Sequence, residues 1–234
     1  MKKWEDLPPE MQSEEIRPYY EALNKKRVSL FFKRVFDVVL SGLLLVILSP
    51  IMLFLSIAIK IDSPGPVFYR QVRVTQYGRK FRIHKFRSMC DGADKKGTLV
   101  TVGNDDRVTR VGKLVRKCRL DEIAQLIDVL KGDMTLVGVR PEVVKYVEKY
   151  QQEWNATFLL PAGITNLTCI YFKDEDEILA GVDDADKVYV EEILPIKMKW
   201  NLKGIKEFSF GKDVKLIFMT FFAVLGKEYK AVEE

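Results

Sequence analysis

The sequence predicts an α+β chain: a re-entrant membrane helix hairpin followed by a mostly helical cytoplasmic domain that carries a small β-hairpin and interfacial helices. Three observations support this. The 22 residues from Val38 to Ile59 hold no charged side chain, and a run of roughly 20 apolar residues is long enough for a bilayer core. Basic residues crowd both flanks of that block. Two strand-like runs, VFYRQVRV and KFRIHKFRSM, enclose the turn residues Gln76-Tyr77-Gly78.

Length and composition set the outer bounds. The chain has 234 residues, 47% of them hydrophobic, enough to bury a sizeable core and to exclude disorder as a description of the whole. Cys90, Cys118 and Cys169 form no C-x-x-C pair, and His84 is the single histidine. That set gives neither a disulfide framework nor a zinc site, and it points to a reducing compartment. The net charge of +5 matters through its distribution.

Residues 1–30 read as an amino-terminal arm, polar, with Pro8, Pro9 and Pro18 and room for one short helix. Residues 31–61 form the membrane element. Ser49-Pro50 lies at its centre, where proline removes a backbone donor and bends a helix. Lys25, Lys26, Arg27, Lys33 and Arg34 precede the block, and Lys60, Arg70, Arg73 and Arg79 follow it. Five cations against four leave the positive-inside rule no asymmetry, so both ends are expected on the cytoplasmic side. The expectation is therefore a helix that breaks at Ser49-Pro50 and returns, the Ser49 hydroxyl satisfying a carbonyl freed by the proline. A single crossing and a buried core helix are the alternatives. The depth of the block behind an acidic, proline-containing stretch reads against a cleavable signal.

Residues 62–212 are read as the cytoplasmic domain. Ser63-Pro64-Gly65-Pro66 makes a turn into the hairpin, and Asp91 to Asn104 reads as a loop. The spacing predicts one helix over Thr109–Leu130, stopped by Gly132. Short helices are expected at Pro141–Tyr150 and Ala185–Leu194, with an acidic solvated loop at Phe172–Asp186. Residues 213–234 hold an apolar stretch, Val214 to Gly226, too short to cross a bilayer. It suits an interfacial helix and equally a core helix.

Candidate chemistry starts on the long helix. At about 100° per residue Val111, Val115, Cys118, Leu126 and Val129 make one stripe, and Glu122 falls inside it with Asp121 at its edge. A carboxylate on an apolar face is costly unless paired. One reading is a capped, partly exposed acid pair on a basic helix. The other is a nucleophile and divalent-metal dyad, since Mg²⁺ takes carboxylate and phosphate oxygens and a carboxylate can attack phosphorus. In Lys85-Phe86-Arg87 the two cations are i and i+2, on one face of a strand, and so able to clamp an anion. Arg140, held by the following Pro141, is a further phosphate candidate. The basic residues flank an apolar block, so no nucleic-acid surface is expected. His84 reads as a satisfied structural histidine.

The segments KRVFDVVLSGLLLVILSP, PVFYRQVRV, KFRSM, DDRVTRVGKLVRKCRLDEIAQL, VLKGDMTLVGVRPE and GIT closely resemble the bacterial sugar transferases, the monotopic phosphoglycosyl transferases. The resemblance runs from about Lys33 to about Leu202 and is nearest to the small members that hold only the catalytic core. It implies a membrane enzyme of the bacterial inner membrane, with its catalytic domain on the cytoplasmic face. The implied reaction moves a sugar-1-phosphate from a UDP-sugar to a polyprenyl (undecaprenyl) phosphate and releases UMP, an early membrane step of polysaccharide or glycoconjugate assembly.

On that resemblance Asp121 is the nucleophile that forms an aspartyl phosphosugar, Glu122 is its partner, and both hold Mg²⁺. Lys85, Arg87 and Arg140 map to phosphate-binding positions, and Ser49-Pro50 to the break of the membrane helix. The chain departs from the usual pattern at Ala124, where the family commonly has proline and where the dyad helix is expected to continue more regularly. It departs again at Val139 before Arg140, and at Asn166 after Ala162-Gly163-Ile164-Thr165. Those departures leave room for an inactive membrane-tethered scaffold of the same fold. A homodimer through the arm or the carboxy-terminal helix is compatible with the sequence, which does not specify the sugar.

Overall fold

A computed structural model describes residues 1–93, 105–171 and 184–227, with the single residues Val182 and Tyr229. The chain mixes helices with a few short strands. Most of the expected loop at Asp91–Asn104 and of the acidic loop at Phe172–Asp186 lies outside the described residues.

The amino-terminal segment contributes to the core. After two 3-10 turns, Trp4–Asp6 and Pro9–Met11, helix α1 spans Arg17–Asn24, with proline in its first turn where a missing N–H costs little. Leu7, Met11, Ile16, Tyr20 and Leu23 are buried in one cluster with Tyr146, Trp154, Leu159, Leu194 and Met198. Trp154 is thus a core residue.

Helix α2 runs Arg27–Asp62 with Pro50 inside it. The sequence reading breaks the helix at Ser49-Pro50, whereas the structure carries it through. The reason is local: Pro50 supplies no N–H to the carbonyl of Val46, and the Ser49 hydroxyl donates to that oxygen instead, at 2.8 Å. It is the one described helix long and apolar enough to cross a membrane, and only 11% of its most apolar window is buried. Val46, Ile47, Leu53, Phe54 and Ile57 stay exposed.

Both ends of α2 are tied to the rest of the fold. Near its start, Lys33 Nζ donates to the Val137 carbonyl at 2.8 Å and to Asp213 Oδ2 at 2.6 Å. Arg34 caps the carbonyls of Val129 and Leu130, and the buried Asp37 accepts from Thr135 Oγ1 and the Leu136 N–H. At its far end, Asp62 Oδ2 accepts the N–H of Val111 at 2.8 Å.

Four short strands form the expected hairpin: β1 (Phe68–Tyr69), β2 (Val72–Val74), β3 (Lys80–Arg82) and β4 (Lys85–Phe86). β2 pairs antiparallel with β3, Arg73 opposite Phe81, and β1 with β4, Tyr69 opposite Lys85. The long helix expected at Thr109–Leu130 is interrupted. α3 (Arg110–Lys117), capped by Thr109, ends before Arg119, whose φ of 51° is left-handed. A 3-10 segment, Leu120–Gln125, and α4 (Leu126–Lys131) follow. Gly132 stops α4 at φ 84°, a conformation glycine adopts without penalty.

β5 (Met134–Val137) pairs in parallel with β6 (Ala162–Thr165), a pairing that short sequence patterns do not announce. The remaining α-helices among the described residues are α5 (Val144–Val147), α6 (Leu167–Tyr171), α7 (Ala185–Val188), α8 (Leu194–Lys206) and α9 (Phe210–Val224), with a 3-10 helix at Gln152–Leu159. A π-helical turn, Tyr189–Ile193, joins α7 to α8. No residue of α9 is fully buried, and Phe218, Phe221 and Phe222 are exposed.

Candidate active site

The left-handed Arg119 is what presents the dyad. It ends the α3 direction, so Asp121 and Glu122 open a new 3-10 segment instead of continuing a helical stripe. The stripe does not survive as one face: Val115, Leu126 and Val129 are buried, whereas Cys118 is exposed. Ala124 does not make this stretch more regular, because the turn originates at Arg119, before the dyad. Leu120, Ile123 and Ala124 pack with Leu55 and Ile59 of α2, which anchors the dyad segment to the far half of that helix.

Lys85 reaches the dyad from β4. Its Nζ lies 3.1 Å from Glu122 Oε1 and 3.9 Å from Asp121 Oδ2. Arg140 arrives from the other side and bonds the same Glu122 oxygen through Nη2. Its backbone is placed by a close glycine crossing. Gly138 N–H donates to the Thr165 carbonyl, and Gly163 N–H donates to the Val139 carbonyl at 2.8 Å. A Cβ on Gly138 would meet the Pro161 carbonyl at 2.8 Å, and one on Gly163 would collide with the Gly138 backbone.

Burial and charge separate the two acids. Burial raises both carboxyls, but Arg140 and Lys85 more than offset it at Glu122, which is held well below the usual carboxylate range. Asp121 is left raised, by burial first and by the neighbouring Glu122 against the pull of Lys85. Burial lowers Lys85, with Arg140 adding to it and Glu122 opposing. Glu122 is thus a fixed anion locked between two cations, and Asp121 is the acid with no side-chain hydrogen bond among the described residues.

Arg87 does not join this group. Its backbone N–H still pairs with the Val67 carbonyl, at 2.9 Å, but its guanidinium is taken up by the end of α2, so the clamp with Lys85 does not form. The buried Arg87 guanidinium donates to the carbonyls of Ser63 and Pro64 and to the Ser63 hydroxyl, at 2.7 to 2.9 Å. It caps the end of α2 and lies against Gly65, where a Cβ would strike its Nη1. The reason is carbonyl supply: a helix C-terminus offers unpaired acceptors and a favourable dipole to a cation.

The sequence reading gives His84 a structural place, and the structure agrees. Its N–H donates to Asp128 Oδ2 at 2.8 Å, and its Nδ1 lies 2.5 Å from Asp128 Oδ1. Asn166, the departure near β6, accepts the Cys169 N–H at 2.8 Å and the Thr168 hydroxyl at the start of α6, and its amide donates to Asn201.

No group of three or more His, Cys, Asp or Glu side chains suited to a metal occurs among the described residues. Two adjacent carboxylates do suit Mg²⁺, which binds through one or two carboxylates and completes its shell with substrate phosphates and water. Lys85 and Arg140 both bond Glu122 Oε1, and among the described residues Glu122 Oε2 and the Asp121 oxygens form no side-chain hydrogen bond, so they fit that donor set.

Fold and site together define an α+β protein with one long exposed apolar helix and a carboxylate–cation centre packed against it. The chain belongs to the bacterial sugar transferase family, whose model matches residues 28–227. It is similar to the UDP-N-acetylgalactosamine-undecaprenyl-phosphate N-acetylgalactosaminephosphotransferase of Aeromonas hydrophila, 37% identical over 199 residues, 83% of this chain and 44% of that protein. It is also similar to the UDP-glucose:undecaprenyl-phosphate glucose-1-phosphate transferase of Escherichia coli K12, 34% identical over 217 residues, 91% of this chain and 44% of that one. The sugar transferase EpsL of Bacillus subtilis is 32% identical over 199 residues, 85% of this chain and 90% of its own length. The chain thus spans less than half the length of the first two.

Proposed function

We propose that this chain transfers a sugar-1-phosphate from a UDP-sugar to polyprenyl phosphate at the cytoplasmic face of the bacterial inner membrane. The observation that carries the proposal is Asp121, raised in pKa and without a side-chain hydrogen bond among the described residues, next to a Glu122 that Lys85 and Arg140 hold as an anion. The names of the relatives from Aeromonas hydrophila and Escherichia coli support the donor and acceptor classes.

In the proposed reaction an Asp121 carboxylate oxygen attacks the β-phosphorus of the UDP-sugar. The new O–P bond replaces the anhydride bond, and UMP departs with the electron pair. A phosphate oxygen of the polyprenyl phosphate then attacks the same phosphorus, forms the diphosphate and returns Asp121 as a free carboxylate. Neither step needs a general base, since both attacking groups are anions. Lys85 and Arg140 orient Glu122 and offer positive charge to the phosphoryl oxygens. Mg²⁺ held by Asp121 and Glu122 would offset phosphate charge.

The membrane arrangement we infer is a re-entrant α2, continuous in its helical turns and bent at Pro50 so that both ends return to one side of the bilayer. A helix of 36 residues is about 54 Å long, against about 30 Å of hydrocarbon. Lys33, Arg34 and Asp37 at one end and Asp62 at the other are bonded to the same folded domain, which a simple crossing would separate. Lys33 is also neutralised by Asp213, so fewer free cations stand at the first shoulder than the sequence count suggests. The exposed phenylalanines of α9 support a second contact with the interface.

UMP release, assayed with a panel of UDP-sugars, Mg²⁺ and undecaprenyl phosphate, tests the proposal. Release with at least one sugar is expected. No release with any sugar would leave a scaffold.

A further inference from the structure

Arg73 has no part in the chemistry above, yet it borders the same site. It lies mid-strand in β2, partly exposed, and its Nη1 donates at 3.0 Å to the carbonyl of Pro141, the residue after Arg140. The other edge of a guanidinium, Nε with Nη2, is the planar fork that takes two oxygens of one carboxylate or phosphate. That edge is unpaired among the described residues. Nε is buried with no partner, and Nη2 makes no hydrogen bond among the described residues.

An unpaired buried donor on a cation is costly, and like charges stand nearby. Burial lowers the pKa of Arg73, with Glu142 opposing and Arg140 adding to the strain, and Arg73 in turn acts on Lys85. Glu142 does not fill the fork: its Oε1 accepts the Tyr189 hydroxyl at 2.6 Å. Lys85 and Arg140 are turned to Glu122 and the acid that would attack phosphorus. The Arg73 guanidinium meets the backbone one residue after Arg140, at the Pro141 carbonyl.

We propose that Arg73 is a third anion-binding residue of the site, its Nε/Nη2 edge receiving the phosphate of a nucleoside diphosphate donor that departs as the monophosphate. The assignment rests on the transfer reaction proposed above. In that role Arg73 binds the donor and favours the charge that grows on the leaving group, and it makes no contact with the lipid phosphate.

The test compares wild type with Arg73→Gln and Arg73→Lys in the membrane-embedded full chain, by UMP binding in calorimetry and by KM for each substrate. Expected is a weakening of UMP binding and a rise in donor KM of about tenfold or more for Arg73→Gln. The lysine variant, which keeps charge without the fork, should fall between, and acceptor KM should stay within twofold. Unchanged UMP binding in Arg73→Gln would overturn the assignment. So would an equal rise in acceptor KM, the sign of a loosened Arg140 backbone. If Arg73→Gln does not fold, Arg73→Lys decides alone, with at least threefold weaker UMP binding expected. Because UMP binding needs no turnover, a wild type that binds UMP but transfers no sugar would fail the reaction and spare the site.

Discussion

The Ser49 hydroxyl donates at 2.8 Å to the carbonyl of Val46, the oxygen that the N–H of residue 50 would take were it not proline. In lipid no water can satisfy that carbonyl, so the pair makes a proline tolerable in the middle of an exposed apolar helix. Ser49→Ala should cost about 1 kcal/mol of stability in detergent micelles. In a Pro50→Ala background, where residue 50 donates for itself, the same substitution should cost almost nothing. Equal costs in the two backgrounds, measured by denaturant unfolding, would mean that the hydroxyl does not serve the proline.

A re-entrant α2 places residues before Arg27 and after Asp62 on one side. Single cysteines at Glu14 and at Lys212, in a chain whose three native cysteines are replaced, should resist an impermeant thiol reagent in intact cells. Both should react after the membrane is opened. Labelling at position 14 alone in intact cells would establish a crossing helix.

Asp121 should cost stability while it enables chemistry. Its carboxyl is raised in the folded state, so folding disfavours the charge, and the penalty is present at neutral pH and vanishes once pH falls below the unfolded value of about 3.9. Asp121→Asn should therefore raise the unfolding midpoint at pH 7 without divalent metal, by about 2–4 °C for a gain near 1 kcal/mol. The same shift should move the acidic limb of the transfer rate to higher pH than an ordinary aspartate gives. A lower midpoint for the variant would contradict the charge assignment.

Asp128 ties β4 to α4 through His84, beside Lys85. Asp128→Ala leaves a buried N–H and a ring nitrogen unpaired, and should cost about 2–3 kcal/mol. Asp128→Asn keeps an acceptor for the N–H and should cost less. Thermal unfolding ranks the two, and an asparagine variant as unstable as alanine would show that charge, not the acceptor, matters.

Much of this site could be read along the chain because its parts are local. Asp121-Glu122, Lys85 and Arg140-Pro141 stand in short motifs, and the structure brings the four charged side chains among them together. Arg87 is not brought to the dyad because its guanidinium bonds the helix end 24 residues earlier, a long-range contact that an i, i+2 spacing does not contain. The break at Arg119 was invisible for a similar reason. Apolar periodicity persists through a left-handed residue, since the following segment still needs a buried face. Nothing in RQVRV marks Arg73: its bond to the Pro141 carbonyl joins residues 68 apart in the chain.

The central claim is a covalent phosphosugar on Asp121. Purified enzyme should be mixed with a UDP-sugar labelled at the β-phosphate, with Mg²⁺ and no acceptor, then quenched and mapped by peptide mass spectrometry. Expected are label on the peptide containing Asp121, UMP released in equal amount, discharge of the label by undecaprenyl phosphate, and none of these in Asp121→Asn. Transfer by the wild type with no labelled Asp121, or full transfer by Asp121→Asn, would contradict it.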